Sequence, residues 1–221
     1  RYTQGRLMEI LWYGHSCFRL SERGKPSVIT DPFDESIGYP VPRWRADVVT
    51  VSHEAPGHAN VKAVKGRHKV FAGPGEYEVG GLFITGIRTY RDTQKGRKKG
   101  TNTVYLFDFN GLTICHLGDL GHVPTQAQVE ALSAVDILLI PVGGGGGLNA
   151  AQASEVISLL EPRIVIPMHY KTQATRLKLE PVDRFLKAMG LGELPPQPSL
   201  KVTAGQLPEE TQVVLLDYVH S

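Results

Sequence analysis

Histidine and aspartate side chains that follow apolar segments are the residues of this sequence best suited to chemistry. Asp31 and His53 follow two such segments, His58 comes shortly after, and Asp119 and His169 follow two later ones. Because strand ends in α/β proteins gather at one edge of a sheet, where ligands usually bind, these side chains are expected to lie together. Imidazoles and carboxylates are ligands that zinc and manganese take in proteins. The repetition predicts a metal or active site, although each residue alone is more typical of a turn, a helix cap or the surface.

The elements that must position these residues are predicted as strands in the first half of the chain and as alternating strands and helices in the second. Apolar and β-branched runs predict strands over 7–13, 17–20, 27–30, 47–52, 69–72, 82–87, 103–109, 112–116, 135–142, 163–168 and 212–219. Asn110-Gly111 predicts a tight hairpin. Helices are predicted from Pro124 onward and over 150–160 and 181–189, with 194–207 as a surface excursion. The whole, 1–221, is interpreted as one mixed α/β domain.

Composition excludes several classes of protein. The chain has 221 residues, enough to bury a sizeable core in one domain. Its 24 Lys and Arg against 22 Asp and Glu give a net charge of +2, too balanced for a dedicated nucleic-acid binder. Cys17 and Cys115 cannot form a disulfide framework and fit a reducing cytosol, so a cytoplasmic location is expected. No apolar run approaches the roughly 18 residues that span a bilayer, and no leader is recognised, so no membrane association is expected.

Five motifs, in order along the chain, resemble the metallo-β-lactamase superfamily. They are Gly14-His15-Ser16-Cys17-Phe18, Thr30-Asp31-Pro32-Phe33, Ser52-His53-Glu54, His116-Leu117-Gly118-Asp119-Leu120-Gly121-His122 and Pro167-Met168-His169-Tyr170-Lys171-Thr172. They are most similar to its small, single-domain branch of Zn-dependent hydrolases that resemble ascorbate-6-phosphate lactonase. The resemblance implies an αββα sandwich, in which two mixed sheets pack face to face, helices lie outside and the site lies at one edge.

The same resemblance implies a set of metal ligands that this chain retains in part. The family builds two metal positions from His-x-His-x-Asp-His, a later His, an Asp that bridges both metals and a final His. His53 and His58 match the outer positions of the first motif, Asp119 matches the bridging carboxylate, and His169 matches the final ligand. Since His58, Asp119 and His169 serve one metal position, the chain keeps a three-ligand set with open coordination there.

Three other ligand positions of the family are occupied here by residues that cannot bind a metal. Ala55 stands where the second His belongs, Gly57 where the Asp belongs, and Arg91 where the later His belongs. The resemblance therefore implies at most one Zn or Mn ion, with a metal-free site as an equal alternative. Because Arg91 brings a permanent cation, we predict a salt bridge with Asp119 that replaces the second metal electrostatically. An exposed loop arginine is the alternative.

Other side chains in or near the motifs are expected to support the pocket. His15 is expected to form hydrogen bonds beside the pocket or to be a satisfied core histidine. Asp31 is expected to accept an N–H from a ligand histidine, or to shape the turn that follows it. His116 is the reserve ligand if a loop turns it toward Asp119, His122 is expected to cap or pack beside the 118–121 turn, and Lys171 is counted with the pocket.

Two segments favour ordinary loops over phosphate sites. The glycine run 143–147 lies between a strand and a helix but lacks the Gly-Lys-Ser/Thr ending of a P-loop, so a loop at the pocket edge is expected. A short basic cluster, Lys95, Arg97, Lys98 and Lys99, is expected to be a solvated loop, with attraction of a phosphorylated substrate as the minority interpretation.

Two functions of different class remain open from the sequence. The first is a metal-dependent hydrolase of a small, phosphorylated or lactone-type substrate, in which Asp119 orients or deprotonates the attacking water. The second is an inactive, metal-free relative that binds a ligand or a partner protein. A nuclease is a weaker third alternative, because the chain is short for a nucleic-acid-clamping domain and its charge is nearly balanced. The sequence leaves a homo-oligomer open.

Overall fold

The computed structural model describes residues 5–220, and its strands form two mixed sheets packed face to face. The first sheet has the order β12-β1-β2-β3-β4-β5 and contains β1 (Met8–Gly14), β2 (Cys17–Glu22), β3 (Val28–Thr30), β4 (Val48–Thr50), β5 (Lys69–Phe71) and β12 (Leu200–Val202). The second has the order β13-β11-β10-β9-β8-β7-β6 and contains β6 (Gly75–Val79), β7 (Leu82–Tyr90), β8 (Thr101–Phe109), β9 (Leu112–His116), β10 (Ile137–Pro141), β11 (Ile164–Met168) and β13 (Gln212–Val213). The predicted two-sheet sandwich is confirmed.

The α-helices of residues 5–220 all come after β9 in the chain. They are α1 (Gln126–Ala131), α2 (Ala150–Leu160) and α3 (Val182–Ala188). Helix α2 connects the parallel strands β10 and β11, as a crossover helix must. Capping places the helix starts slightly later than predicted: Thr125 caps α1, so Pro124 lies before it, and Pro181 is the cap residue of α3. Within residues 5–220, none of the helices has the length and apolar character needed to cross a bilayer.

Alternating side chains on the first sheet divide the apolar interior into two parts. Phe18 in β2 and Val28 in β3 face the main core between the sheets. Their neighbours in the same strands, Cys17 and Ile29, point to the opposite face and belong to a second apolar cluster. This is the period of two that a strand imposes. The segment between β3 and β5, with its short 3-10 turns Glu35–Ile37 and Val61–Ala63, covers the second cluster.

Three strand predictions needed correction. Strand β6 was not predicted, because its side chains alternate between half-buried and exposed in an edge strand and its sequence is polar. Strand β12 lies inside the segment interpreted as a surface excursion, and it forms only through pairing with β1. The closing strand is shorter than predicted, covering Gln212–Val213. The hairpin prediction is confirmed, since Asn110 and Gly111 both have positive φ, as a tight two-residue turn requires.

Parallel pairing brings the functional segments to one edge. In the first sheet β3 and β4 run parallel, and in the second β9, β10 and β11 run parallel. The carboxyl ends of parallel neighbours meet at the same edge of a sheet, which is where ligands bind in such folds. The residues that follow β3, β4, β9 and β11 carry the predicted site.

Candidate functional site

A cavity of about 380 Å³ lies at this edge and is lined by His15, His53, His58, Asp119 and His169. These side chains are all buried. Four other cavities, of about 410–480 Å³, are larger, but none of the four is lined by more than one histidine. The concentration of histidines, rather than the volume of the cavity, therefore identifies the site. The structure brings together all four residues that the sequence predicted as metal ligands, with His15 beside them.

His58 is oriented by the carboxylate of Asp31. The two are joined by a hydrogen bond of 2.7 Å between His58 Nδ1 and Asp31 Oδ2, which leaves His58 Nε2 free to act as a ligand. Asp31 is itself held by the backbone N–H and hydroxyl of Ser52. Burial raises the pKa of Asp31, but its hydrogen bond with His58 and the nearby histidines bring that pKa below its ordinary value. The predicted contact between Asp31 and a candidate ligand is present.

Asp119 uses its two carboxylate oxygens differently. Arg91 Nε donates to Oδ2 over 2.8 Å, while Oδ1 lies 4.0 Å from His169 Nε2. The Arg91 side chain is 26% exposed, and its Nη1 also donates to the carbonyl of Lys99 over 3.0 Å. Burial raises the pKa of Asp119, yet the neighbouring histidines and the hydrogen bond from Arg91 bring it below the ordinary value. The predicted salt bridge is present, and the exposed-loop alternative for Arg91 is wrong.

The remaining imidazoles are uncharged at neutral pH and keep free nitrogens. Burial lowers the pKa of His53 to about 3 and that of His169 to about 4, and it lowers the pKa of His15 well below the ordinary value. Within residues 5–220, the buried atoms His15 Nδ1, His53 Nε2 and His169 Nδ1 have no hydrogen-bond partner. Since an unpaired buried nitrogen is costly, three in one cavity fit a ligand from outside the polypeptide. Neutral imidazoles beside an ionised carboxylate suit a divalent transition metal.

The backbone is strained where it presents these side chains. His15, Asp31 and His169 have φ values of 54°, 40° and 55°, in the left-handed region that non-glycine residues rarely adopt. Such strain persists where surrounding bonds fix it and is common at functional sites. Here the carbonyl of His15 accepts from the backbone N–H of His169 over 3.0 Å and from Trp12 Nε1 over 3.1 Å. These bonds tie the end of β1 to the end of β11.

Three residues predicted in or near the pocket do not line it, and the predictions for His116 and Lys171 are corrected. His116 donates from Nε2 to the carbonyl of Ser16 and accepts at Nδ1 from the N–H of Gly118, so it has no nitrogen free to serve as a reserve ligand. Both ring nitrogens of His122 likewise bond to backbone groups, in agreement with a capping role. Lys171 is exposed and lies outside the cavity lining.

Other residues at the site had no motif that would identify them. Lys99 and Lys178 line the cavity, yet only Lys99 belonged to a basic cluster noticed in the sequence. Asn102, buried in β8, accepts the backbone N–H of Asp119 over 2.9 Å. Gly147 packs against the carboxylate, since a Cβ placed there would lie 3.1 Å from Asp119 Oδ1. The glycine run therefore borders the pocket, as expected.

Asp92 organises the loop that carries Arg91 and Lys99. Its carboxylate accepts four backbone N–H groups, from residues 94, 96, 98 and 99, at 2.7–3.0 Å. Desolvation opposes ionisation, but these bonds lower the pKa of Asp92 to about 2. The loop is thus folded around the carboxylate of Asp92. This arrangement places the carbonyl of Lys99 where it accepts a hydrogen bond from the guanidinium of Arg91.

Gly121 gives a test of how tightly this region is packed. A Cβ at this position would lie 2.1 Å from the backbone carbon and oxygen of Arg91. Because backbone cannot move aside as a side chain can, we expect Gly121→Ala to lower the free energy of unfolding by about 2–3 kcal/mol in urea denaturation. Gly192→Ala, where nothing lies within 4 Å, is the control and should change that energy by less than about 1 kcal/mol. Equal effects of the two variants would contradict the packing described.

Comparison with known proteins identifies the family. Residues 9–169 match the family model described as a β-lactamase superfamily domain. The UPF0173 metal-dependent hydrolase of Thermoplasma acidophilum is 28% identical over 193 residues, which cover 75% of this chain and 84% of that protein. A UPF0173 metal-dependent hydrolase of Nitratidesulfovibrio vulgaris is 30% identical over 196 residues, covering 74% and 80% respectively.

A solved structure supports the same conclusion. A protein from Thermotoga maritima, described as a candidate Zn-dependent hydrolase of the metallo-β-lactamase superfamily, is 41% identical, with a TM-score of 0.78. The match covers 95% of this chain and 98% of that one. The family predicted from the motifs is confirmed. This chain belongs to the metallo-β-lactamase superfamily, and these relatives are described as metal-dependent hydrolases.

Proposed function

We propose that this chain is a hydrolase with a single divalent metal ion, zinc in preference to manganese, held by His58, His169 and Asp119. The observation that carries the proposal is that the two oxygens of the Asp119 carboxylate have different partners. Oδ2 accepts a hydrogen bond from Arg91, whereas Oδ1 faces His169. Asp119 Oδ1 therefore remains for a metal, and the imidazole of His58, oriented by Asp31, keeps its Nε2 for the same ion. Imidazole nitrogen as the main donor favours zinc, whereas manganese suits oxygen ligands better.

A second ion is disfavoured by the residues on the other side of Asp119. Ala55 and Gly57 line the cavity but have no side-chain atom that can bind a metal. The guanidinium of Arg91 is always charged and lies against Asp119, where it would repel a second cation. The ligand pattern that the resemblance implies has two metal positions, and this proposal keeps only one of them.

The chain's own groups can perform the remaining steps of hydrolysis. When bound, the metal ion supplies Lewis acidity toward a carbonyl or phosphoryl oxygen. Asp119 is ionised at neutral pH and can accept a proton from the attacking water. Arg91 uses two of its five N–H groups on Asp119 and Lys99, and the others can donate to the oxygen that gains negative charge. His53 lies beside Asp119 with Nε2 unpaired, and can form a hydrogen bond with the substrate.

The charges around the cavity favour a small anionic substrate. Arg91, Lys99 and Lys178 line it, against the single carboxylate of Asp119. A cavity of about 380 Å³ accommodates a small molecule rather than a polymer. The lining supports a small phosphorylated or lactone-type substrate that carries negative charge.

Metal stoichiometry tests the proposal. Protein purified without chelator is expected to contain one zinc ion per chain, measured by elemental analysis, and to hydrolyse members of a panel of phosphate esters and phosphorylated lactones. Removal of the ion with a chelator should abolish turnover, and added zinc should restore it. Two ions per chain would contradict the depleted centre, and zinc-loaded protein without activity on any ester or lactone would contradict hydrolysis.

A metal-free binding module is the second candidate, and the salt bridge between Arg91 and Asp119 favours it. The guanidinium already neutralises the carboxylate that a metal would otherwise bind. Protein that contains no zinc, even after incubation with excess metal, would support this alternative. Such a protein should still bind a small anion through Lys99 and Lys178, which calorimetry with inorganic phosphate measures.

A further inference from the structure

We infer that His15 is a metal ligand in this chain and takes the place of the side chain that Gly57 lacks. The inference rests on the proposed single-metal centre and deepens it by naming a further ligand. His15 lies in the short turn between β1 and β2, far in sequence from His58 and His169. Nothing in the spacing of the ligand motifs points to it.

The space beside Gly57 supports the exchange. A Cβ built on Gly57 would lie 3.0 Å from His15 Nε2 and 3.2 Å from His15 Cδ2. The third neighbour is Ile37 Cγ2 at 3.3 Å, part of the wall of the same cavity. The imidazole therefore fills the volume that a longer side chain at position 57 would enter. A carboxylate at 57 and His15 in this position would exclude each other.

The positions of the ring nitrogens suit coordination. His15, His58 and His169 each offer a ligand atom, and the three atoms all lie within 4.8 Å of one another. The ring centroid of His15 is 4.1 Å from that of His169 and 4.8 Å from that of His58. In a tetrahedral site with bonds of 2.0–2.1 Å the nitrogens lie roughly 3.3 Å apart, so modest side-chain rotations close the set. Asp119 Oδ1 lies 4.0 Å from His169 Nε2 but outside this group of three, so it would have to move toward the histidines to supply a fourth ligand.

His15 is buried but lacks the hydrogen bonds of a satisfied core residue. Its side chain is buried, and within residues 5–220 its Nδ1 has no hydrogen-bond partner. Its backbone is fixed by the bonds from Trp12 and His169 to its carbonyl. The residue is thus held in place through its backbone carbonyl, while its Nδ1 remains unpaired and its Nε2 lies beside position 57. Neither expectation from the sequence, a hydrogen-bonding supporter or a satisfied core histidine, accounts for that unpaired nitrogen.

A pair of variants tests the exchange by zinc affinity. Zinc is titrated against a chromophoric chelator for the wild type, His15→Ala and the double variant His15→Ala/Gly57→Asp. Loss of a residue that only forms a hydrogen bond with a ligand typically weakens metal binding 10–100-fold. Loss of a ligand itself should therefore weaken zinc binding by more than about 100-fold in His15→Ala. The double variant should regain most of the affinity, because a carboxylate then enters the space that the imidazole has left.

X-ray absorption at the zinc edge gives a readout that does not depend on activity. The number of imidazoles per zinc is expected to fall from three in the wild type to two in the double variant, with a carboxylate oxygen in exchange. His220→Ala, which removes an exposed histidine outside the cavity, is the control and should match the wild type. Circular dichroism and the thermal midpoint of each variant establish that it is folded.

The outcomes separate this inference from the proposed function. If the wild type binds one zinc and His15→Ala binds it equally well, the inference is overturned and the single-metal proposal stands. If the wild type binds no zinc, both are overturned. If His15→Ala loses affinity and the folded double variant does not regain it, His15 is only a structural residue and the exchange is overturned.

Discussion

Asp119→Asn is expected to reduce zinc binding by about 1000-fold or more and any hydrolysis to the background rate, the largest single-residue effect at the site. The amide keeps the shape of the side chain but removes the charge that attracts the ion and the oxygen that accepts a proton. It also leaves the guanidinium of Arg91 without its anionic partner in a partly buried position. Zinc affinity by chelator competition and turnover on the responsive ester or lactone measure both effects.

Asp108→Asn is the matched control for this variant. Asp108 is an exposed residue near the end of β8, where its carboxylate accepts the N–H of Gly111 in the turn to β9. The same chemical change there should leave zinc affinity and turnover at the wild-type level. Wild-type zinc affinity in Asp119→Asn would show that Asp119 is not a ligand, and the proposed centre would fall.

Ala55→His/Arg91→His is expected to raise the zinc content from one to two ions per chain. The double variant removes the cation that repels a second metal and supplies two imidazoles to join His53 and Asp119. Three nitrogens and one carboxylate form the usual four-ligand set for zinc. Elemental analysis after dialysis against trace zinc measures the stoichiometry, and calorimetry distinguishes the two binding events.

The single variant Ala55→His distinguishes the effect of the Arg91 charge from the effect of the missing ligands. It adds an imidazole but keeps Arg91 on Asp119, so its content should remain at one ion per chain. Uptake of two ions by this single variant would mean that Arg91 does not exclude the second metal. A double variant that is folded and still binds one ion would mean that the surroundings of Asp119, rather than its missing ligands, limit the site.

The sequence was informative where chemistry and strand order coincide. Asp31 follows β3, whereas His53 and His58 follow β4, and these strands are parallel neighbours. The contact between Asp31 and His58 could therefore be expected from the order of the residues along the chain. The pair formed by Arg91 and Asp119 was predicted for a different reason, because the family resemblance places Arg91 at a metal-ligand position, where a permanent cation would lie close to the carboxylate.

The sequence did not predict those features of the site that depend on unfilled space or on the path of a loop. The place of His15 follows from what Gly57 does not fill, and no pattern within either segment records that relation. Lys178 reaches the cavity because its loop is held by tertiary contacts, such as the bond from the N–H of Arg176 to the carbonyl of Ile37. His116 failed as a candidate because nearby backbone groups engage both of its nitrogens.

The bond between the N–H of His169 and the carbonyl of His15 has a consequence for biosynthesis. It joins the end of the first strand to the end of β11, residues far apart in the sequence, so the pocket is complete only when the segment that carries His169 has been synthesised and has folded onto β1. A nascent chain halted before that point holds His53, His58 and Asp119 without the segment that encloses them. Capture of the proposed ion should therefore follow the synthesis of that segment rather than precede it.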